Sequence, residues 1–457
     1  MSGIRGGIGS VRGASGLTTG NPVRNPDLSS SHTMTKRAWW LVILNILIPG
    51  SAQLLAGSRK VGRLAVRLTF TLWIVAIAAG LVYYFAPRFL YGLATNEIAL
   101  TVIQGVLIIY AVLWMALTLD TLRLVRLVRA GPRARPLIAA FAVLALAVSA
   151  GGAGYAAMVA GVSRDTLGAL FASGEYQDPV DGQYNILLLG GDAGPDRTGL
   201  RPDSISVASI NADTGATTII GIPRNFENVI FSDGSPLWDP FPSGYDCGDE
   251  CLINYLYTYG QEHPDLYPDA VAAGSQPGIE ATRDAVSGVT GLVLQYYVVI
   301  DMQGFSQLVD SLGGVTIDVP TRVAIGGITG AKPMYYVEPG VQHFDGEGAL
   351  WYARSRYDGN DYDRMERQRQ VQAAILSQAQ PANVLTKFQD VAEAGVQVVS
   401  TDIPSAMLPS LVDLATRARE RPLGSLELVP GVIDNVDHDY DEIHALVQSA
   451  LHPDAAK

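Results

Sequence analysis

The sequence predicts an α/β (α+β) domain with a mixed central sheet flanked by helices, preceded by an α-helical transmembrane region. Three observations predict it. Apolar segments near 64–86, 98–119 and 136–160 are each long enough to cross a hydrocarbon core, which takes about 20 residues. Beyond them, short apolar runs ending in glycine alternate with helix-length stretches, the rhythm of a sheet with helices packed on it. The formal charge of -12 also divides sharply: residues 1–135 hold 15 Lys and Arg against three acids, net +12, which leaves 17 against 41, net -24, for the remainder of the 457. Halves of opposite sign fit a chain whose ends lie in different compartments.

Residues 1–35 are rich in Gly, Ser, Thr and Asn and read as a disordered arm. The membrane region follows, at 36–162. Its first apolar segment, 39–57, is interrupted by Pro49-Gly50 and is expected to be re-entrant or interfacial rather than spanning. No cleavable signal peptide is expected, because no apolar run begins before Ala38. Short cytoplasmic loops collect Lys and Arg, so the five-arginine connection Asp120–Arg135 faces the cytoplasm, as do Lys36, Arg37, Arg59, Lys60 and Arg63. The expected topology is three spans plus the re-entrant piece, with the amino terminus cytoplasmic and everything after residue 160 outside; four spans is the alternative. Outside, oxidising conditions favour a structural disulfide between the two cysteines, Cys247 and Cys251.

A linker, 163–183, leads to a domain at 184–453. Tyr184–Gly190 reads as a buried strand that delivers Asp192 beyond its carboxyl end. Arg201-Pro-Asp203 opens a second strand, 205–211, and a third, 217–222, stops at Pro223-Arg224. Helices are expected at 279–290, 302–312 (closed by Gly313), 366–380, 387–398, 404–420 and 439–451, and strands at 293–300 and 315–319. No phosphate-binding G-x-x-x-x-G-K-S/T loop and no G-x-S-x-G elbow is present, and the six histidines form no metal-ligand pattern.

The stretch Leu350–Gln370 carries five arginines, four acids and two glutamines in 21 residues. Alternation predicts that 350–356 is extended, with Arg354 and Arg356 on one face, while Arg364, Arg367 and Gln368 share a helix face at i, i+3, i+4. Converging guanidiniums suit bidentate binding of phosphate oxygens. The competing reading is a solvated helix laced with ion pairs such as Asp363 with Arg367. Asp192 and Asp203, presented with Arg201 and Arg224 at strand ends or in adjoining loops, form a carboxylate pair suited to a hard divalent ion. Asp203 also suits a turn anchor.

Taken together, YNILLLGGDAG (184–194), RPDSISVASIN (201–211), TTIIGIPRN (217–225), the run 279–320 and GVQHFDGEGALWYARSRYDGNDYDRMERQRQ (340–370) resemble the LytR-CpsA-Psr family of bacterial envelope proteins. The basic multi-segment anchor is similar to that of actinobacterial members. The resemblance implies an Mg²⁺-dependent phosphotransferase, with Mn²⁺ as substitute, that moves a glycopolymer from a polyprenyl-pyrophosphate carrier to peptidoglycan through a phosphodiester. It implies Asp192 and Asp203 as metal ligands. Arg201, Arg224, Arg354, Arg356, Arg364 and Arg367 grip phosphates, Asp361 and Gln368 complete the cluster, and an oily groove takes the prenyl chain. Two positions depart from the pattern: Asn225 stands where an acid is usual, and Asp363 where glycine is usual. Asp361 is then the candidate base, Arg369 is spare and Asp363 has no evident role. A polyprenyl-pyrophosphate hydrolase using the same residues, and a non-catalytic lipid-binding or regulatory protein, are the competing functions; no nucleic-acid partner is expected.

Overall fold

The computed structural model describes residues 23–171, 176–191, 202–326, 332–357, 359–378, 399–419 and 421–453. The chain forms two compact units, Met1–Leu81 with Val102–Val159, and Val82–Thr101 with Ala160–Lys457.

The first unit is built from α1 (Ser31–Leu47), α2 (Ser51–Ala56) and most of α3 (Arg59–Phe85), α5 (Glu97–Val125) and α6 (Ala134–Leu170), while α4 (Pro87–Ala94) falls in the second. Three of them, α3, α5 and α6, are long and apolar enough to cross a membrane. The first apolar segment is a helix, a break and a second helix. Gly50 makes the break with φ +95°, a left-handed conformation that a side chain strongly disfavours, and it lies against Ala65. The hairpin is tied down by Gln53, whose Nε2 donates to the Leu117 carbonyl (2.9 Å) and Thr121 Oγ1 (3.1 Å), and by a buried cluster including Leu41, Ala52, Val125 and Ile138. The expected arm is shorter than 35 residues, because Ser30 caps α1 by accepting from the Thr33 N–H.

The second unit is built on strands β1 (Gln183–Gly191), β2 (Pro202–Asn211), β3 (Thr217–Ile222), β4 (Tyr296–Asp301), β5 (Val315–Val319), β6 (Val323–Ile325), β7 (Tyr335–Val337), β8 (Gly340–Phe344), β9 (Val399–Thr401) and β10 (Gly424–Glu427). Its helices are α7 (Leu256–Glu262), α8 (Pro277–Thr290), α9 (Met302–Leu312), α10 (Gly346–Arg354), α11 (Asp361–Gln378), α12 (Leu408–Ala418) and α13 (Tyr440–Leu451). The main sheet has six strands in the order β10-β3-β2-β1-β4-β9. It is mixed: β1 runs parallel to β4 and β3 to β10, while β1–β2, β2–β3 and β4–β9 are antiparallel.

Strand alternation gives the sheet two different faces. Leu187, Leu189, Val207, Ile220 and Tyr297 point into the largest core, under α7, α8 and α13. On the opposite face Tyr184, Ile186, Ile219 and Tyr296 pack with Met407 and Leu414 near α12. Farther along that face α9, α10 and α11 form a layer with a core of their own, including Val309, Ile317, Tyr352 and Val371. Cys247 and Cys251 are disulfide-bonded around a single tight turn. The linker is partly helical, since α6 runs on to Leu170, and Leu167 joins Leu100, Ala160 and Leu408 in a small apolar cluster. The helix expected at 387–398 lies outside the described residues.

Candidate functional site: an arginine cluster at the mouth of an apolar groove

The stretch 350–356 is not extended. Asp345 caps a helix there by accepting from the Gly348 N–H (2.7 Å), and Ala349, Tyr352 and Ala353 form its buried face at i, i+3, i+4. Gly346 meets the Ser306 carbonyl of α9 so closely that any side chain would collide, so α10 is seated directly on α9. Arg354 therefore ends a helix, its guanidinium 5.8 Å from the Trp351 ring, and Arg356 lies beyond that end rather than on a shared strand face.

Antiparallel pairing of β2 with β3 sets the start of one beside the end of the other, Ile205 opposite Ile222. Asp203 and Arg224 are thereby brought to one edge, Arg224 Nη1 donating to Asp203 Oδ1 at 2.7 Å. The first turn of α11 supplies the rest. Asp361 Oδ2 accepts from Arg224 Nε (2.8 Å), its Oδ1 accepts from Arg356 Nη1 (3.1 Å), and Arg364 Nη1 lies 3.6 Å away. Arg364 also donates to the Asp203 carbonyl at 3.1 Å. Three guanidiniums thus face two carboxylates, a local surplus of one positive charge.

Burial alone would raise the Asp361 carboxyl, but hydrogen bonding to Arg224 and the charges of Arg364 and Arg224 outweigh it and hold its pKa below the ordinary value. Such a group is ionised and already engaged through both oxygens, which makes it an organiser of the arginines and a poor proton acceptor. Burial depresses Arg224 as well, yet its bonds to Asp361 and Asp203 prevail and its pKa is raised. Burial lowers Arg364, which is 4% exposed and whose Nε has no partner among the described residues. Asn225 takes no part in these bonds; Asp203 and Asp361, not a neighbouring acid, orient Arg224.

The cluster stands at one end of a cavity of about 280 Å³ between the sheet and the α9–α11 layer. Leu188, Ser206, Val298 and Ile300 form its floor, Phe305, Leu308 and Leu350 its roof, and Gln368, Val371, Gln372 and Ile375 one wall. Arg354, Asp203 and Gly191 line it too, so the anion-binding groups and an oily tunnel meet at the carboxyl end of β1. Asp192 and Arg201 lie outside the described residues.

Arg367 is placed elsewhere. It donates to the carbonyls of Tyr352 (3.1 Å) and Ser355, closing the end of α10 on the far side of α11. Two residues without an assigned part acquire one. Asp363 accepts from the Asn360 N–H (2.8 Å) while Asn360 Oδ1 accepts from the Asp363 N–H (3.0 Å), a reciprocal cap that starts α11. The N-x-x-D spacing was a legible signal for it. Arg369 is not spare: it pairs with Glu427 on β10 at 3.2 Å and with Glu366 at 3.4 Å, and burial pushes the Glu427 carboxyl up.

The LytR_cpsA_psr family profile matches residues 164–436, more than half of the chain. The chain belongs to this family. Among LytR_cpsA_psr relatives, biofilm regulatory protein A of Streptococcus mutans is 28% identical over 256 residues, 53% of this chain and 56% of that protein. The cell wall biosynthesis protein LcpA of Corynebacterium glutamicum, an actinobacterial relative, is 27% identical over 360 residues, 70% of this chain and 66% of its own length. The polyisoprenyl-teichoic acid–peptidoglycan teichoic acid transferase TagV of Bacillus subtilis is 26% identical over 205 residues, 44% of this chain and 45% of its own. The TagV crystal structure matches with a TM-score of 0.42 at 22% identity, over 59% of this chain and 97% of that one. The chain thus spans about half to two thirds of the length of these curated relatives.

Proposed function

We propose that this protein is a membrane-held phosphotransferase that moves a glycopolymer from a polyprenyl-pyrophosphate carrier to peptidoglycan, forming a phosphodiester. The observation that carries the reading is the junction of an apolar groove with a cluster of three guanidiniums, a shape and charge matched to an oily chain ending in a pyrophosphate. The naming of TagV as a transferase supports it. In this reading the catalytic domain lies outside the cytoplasm, where the Cys247–Cys251 bond persists.

Phosphoryl transfer asks little covalent work of the protein and much electrostatic positioning. The groove seats the prenyl chain and excludes water. Arg224, Arg356 and Arg364, with Arg354 at the groove wall, hold the phosphate oxygens and offset charge gathering on the departing polyprenyl phosphate. Arg224 arrives pre-oriented by two carboxylates, so little reorganisation accompanies the reaction. Asp203 fits a divalent ion: its Oδ1 is taken by Arg224, and among the described residues its second oxygen has no partner. Asp203 with Asp192 would hold Mg²⁺, which supplies Lewis-acid neutralisation of the phosphates.

The test incubates the full chain in detergent with Mg²⁺ and a polyprenyl-pyrophosphate-linked glycan, with and without peptidoglycan. Polymer joined to peptidoglycan is expected. Release of polyprenyl phosphate by water alone would make the protein a hydrolase, and lipid bound but never cleaved would sink both enzymatic readings.

A further inference from the structure

Helix α11 carries two functional stripes. Residues 368, 371, 372 and 375 line the apolar groove, as described. Residues 363, 366, 367 and 370 repeat the same i, i+3, i+4, i+7 spacing on another face and line a second cavity, of about 390 Å³. A polar stripe on a surface helix normally meets bulk water. Here it faces the segment Pro320–Ala324, and the two surfaces enclose a concave, polar space within the size range of small-ligand sites, about 300–1,000 Å³.

We propose that this second cavity is a saccharide site that seats the acceptor strand. The assignment rests on the transferase reading above and deepens it. Part of the polar lining is already committed: Arg367 to the two carbonyls at the end of α10, and one oxygen of Asp363 to the helix cap. The remaining lining is only loosely held: Glu366 pairs with Arg369 and accepts from the Gln370 amide, both at 3.4 Å, and Arg322 pairs with Glu338 at 2.9 Å, yet the Glu366 and Arg322 side chains are more than half exposed and line the cavity with Thr321 and Tyr357. Donors and acceptors are mixed, and two arginines balance two acids. A polyanion finds no surplus positive charge here, in contrast to the groove mouth. A neutral ligand bearing hydroxyl and acetamido groups meets both donors and acceptors, and a ring to lie against.

The position favours the acceptor over the donor. The α10–α11 pair separates the two cavities, Arg354 and Gln368 lining one and their neighbours Ser355 and Arg367 the other. They come together at the first turn of α11, where Gly359 and Asp363 border the saccharide cavity while Arg356 and Asp361 belong to the phosphate site. A glycan seated against Glu366 and Arg322 directs its next sugar over this turn. A hydroxyl oxygen of that sugar then forms the new bond to phosphorus as the bond from phosphorus to the bridging oxygen breaks; that oxygen keeps the bonding electrons and leaves on the polyprenyl phosphate, which takes up the hydroxyl proton.

The experiment uses the full chain in detergent and, as probe, a β-1,4-linked N-acetylglucosamine tetramer, with binding read by saturation-transfer NMR and calorimetry. Glu366→Ala and Arg322→Ala remove side chains that are 57% and 55% exposed, so both variants are expected to fold. Each is expected to weaken tetramer binding at least tenfold and to raise the acceptor KM at least tenfold while the donor KM holds; Glu366→Gln, which still hydrogen-bonds a hydroxyl, is expected to restore most of the loss. Tetramer binding that is absent in the wild type, or indifferent to both variants, overturns the proposal. A KM change confined to the donor overturns the acceptor assignment by giving the sugar to the carrier side. Transfer that proceeds with an acceptor KM blind to both variants removes the saccharide site and leaves the transferase standing. Tetramer bound through Glu366 by a protein that never transfers does the reverse.

Discussion

Two ion-pair clusters sit on the same sheet and have opposite charge balance. At the groove mouth, Arg224, Arg356 and Arg364 outnumber Asp203 and Asp361. Elsewhere on the sheet Arg283 is shared by Glu280 (3.5 Å) and Asp402, and Asp402 also accepts from the Tyr297 N–H at 2.7 Å. The first leaves positive charge and solvent-facing donors for an anion. The second sets one cation against two carboxylates and ties α8 to the segment after β9, with no positive charge in excess. The surplus of charge, rather than the number of ion pairs, separates the proposed binding site from a brace.

The largest expected effect breaks the brace. Asp402→Ala leaves the Arg283 guanidinium with Glu280 alone and the Tyr297 N–H without its partner, and a donor left unsatisfied beside a weakened charge pair costs about 3 kcal/mol. Chemical denaturation should show that loss, with turnover per folded molecule retained. At the mouth the effect should fall on rate. Arg356 is half exposed, so Arg356→Ala should leave thermal stability nearly unchanged and cut kcat by about 10²–10³. A large stability loss with activity retained would reverse the assignment of the two clusters.

Smaller effects appear as pH dependence. The Asp361 pKa is lowered in the folded state, so its stabilising contribution is present above the unfolded value, near 3.9, and is lost as pH falls through the folded value. Glu427 is raised by burial. Its contribution is present below the unfolded value and is lost as pH rises through the folded one. Stability measured against pH should therefore flatten on the acid side for Asp361→Asn and above the ordinary carboxylate range for Glu427→Gln. The smallest change is Asp363→Ala, which removes the returning half of the α11 cap while Asn360 keeps its own bonds, and should cost about 0.5 kcal/mol in a thermal melt.

The inner strands β1 to β4 were legible as largely apolar runs bounded by Gly, Pro and Asp, and α9 because Gly313 terminates it with φ +88°, whereas the edge strands β9 and β10, of three and four residues, are too short to carry a pattern. The break at Pro49-Gly50 was equally plain. The segment 350–356 misled because Gly346 and Gly348, poor helix formers, open a helix whose cap and seat on α9 decide the matter. Helical spacing brought Arg364 and Gln368 to the site. It could not separate Arg367, because i+3 and i+4 neighbours diverge enough to face two different cavities once both sides of a helix are covered. The Arg369–Glu427 pair spans 58 positions of sequence and has no local signal.

The guanidinium cluster is a small positive island on a strongly acidic body, since residues 136–457 carry a net charge of -24. The long-range field of such a body repels polyanions, and only within about a Debye length of the mouth, roughly 8 Å at physiological salt, does the island's attraction take over. Diffusion from bulk solution is thereby disfavoured for an anionic polymer, which under the proposed function favours delivery within the plane of the membrane. For a soluble pyrophosphate fragment, added monovalent salt should therefore speed association rather than slow it, until screening reaches the island itself.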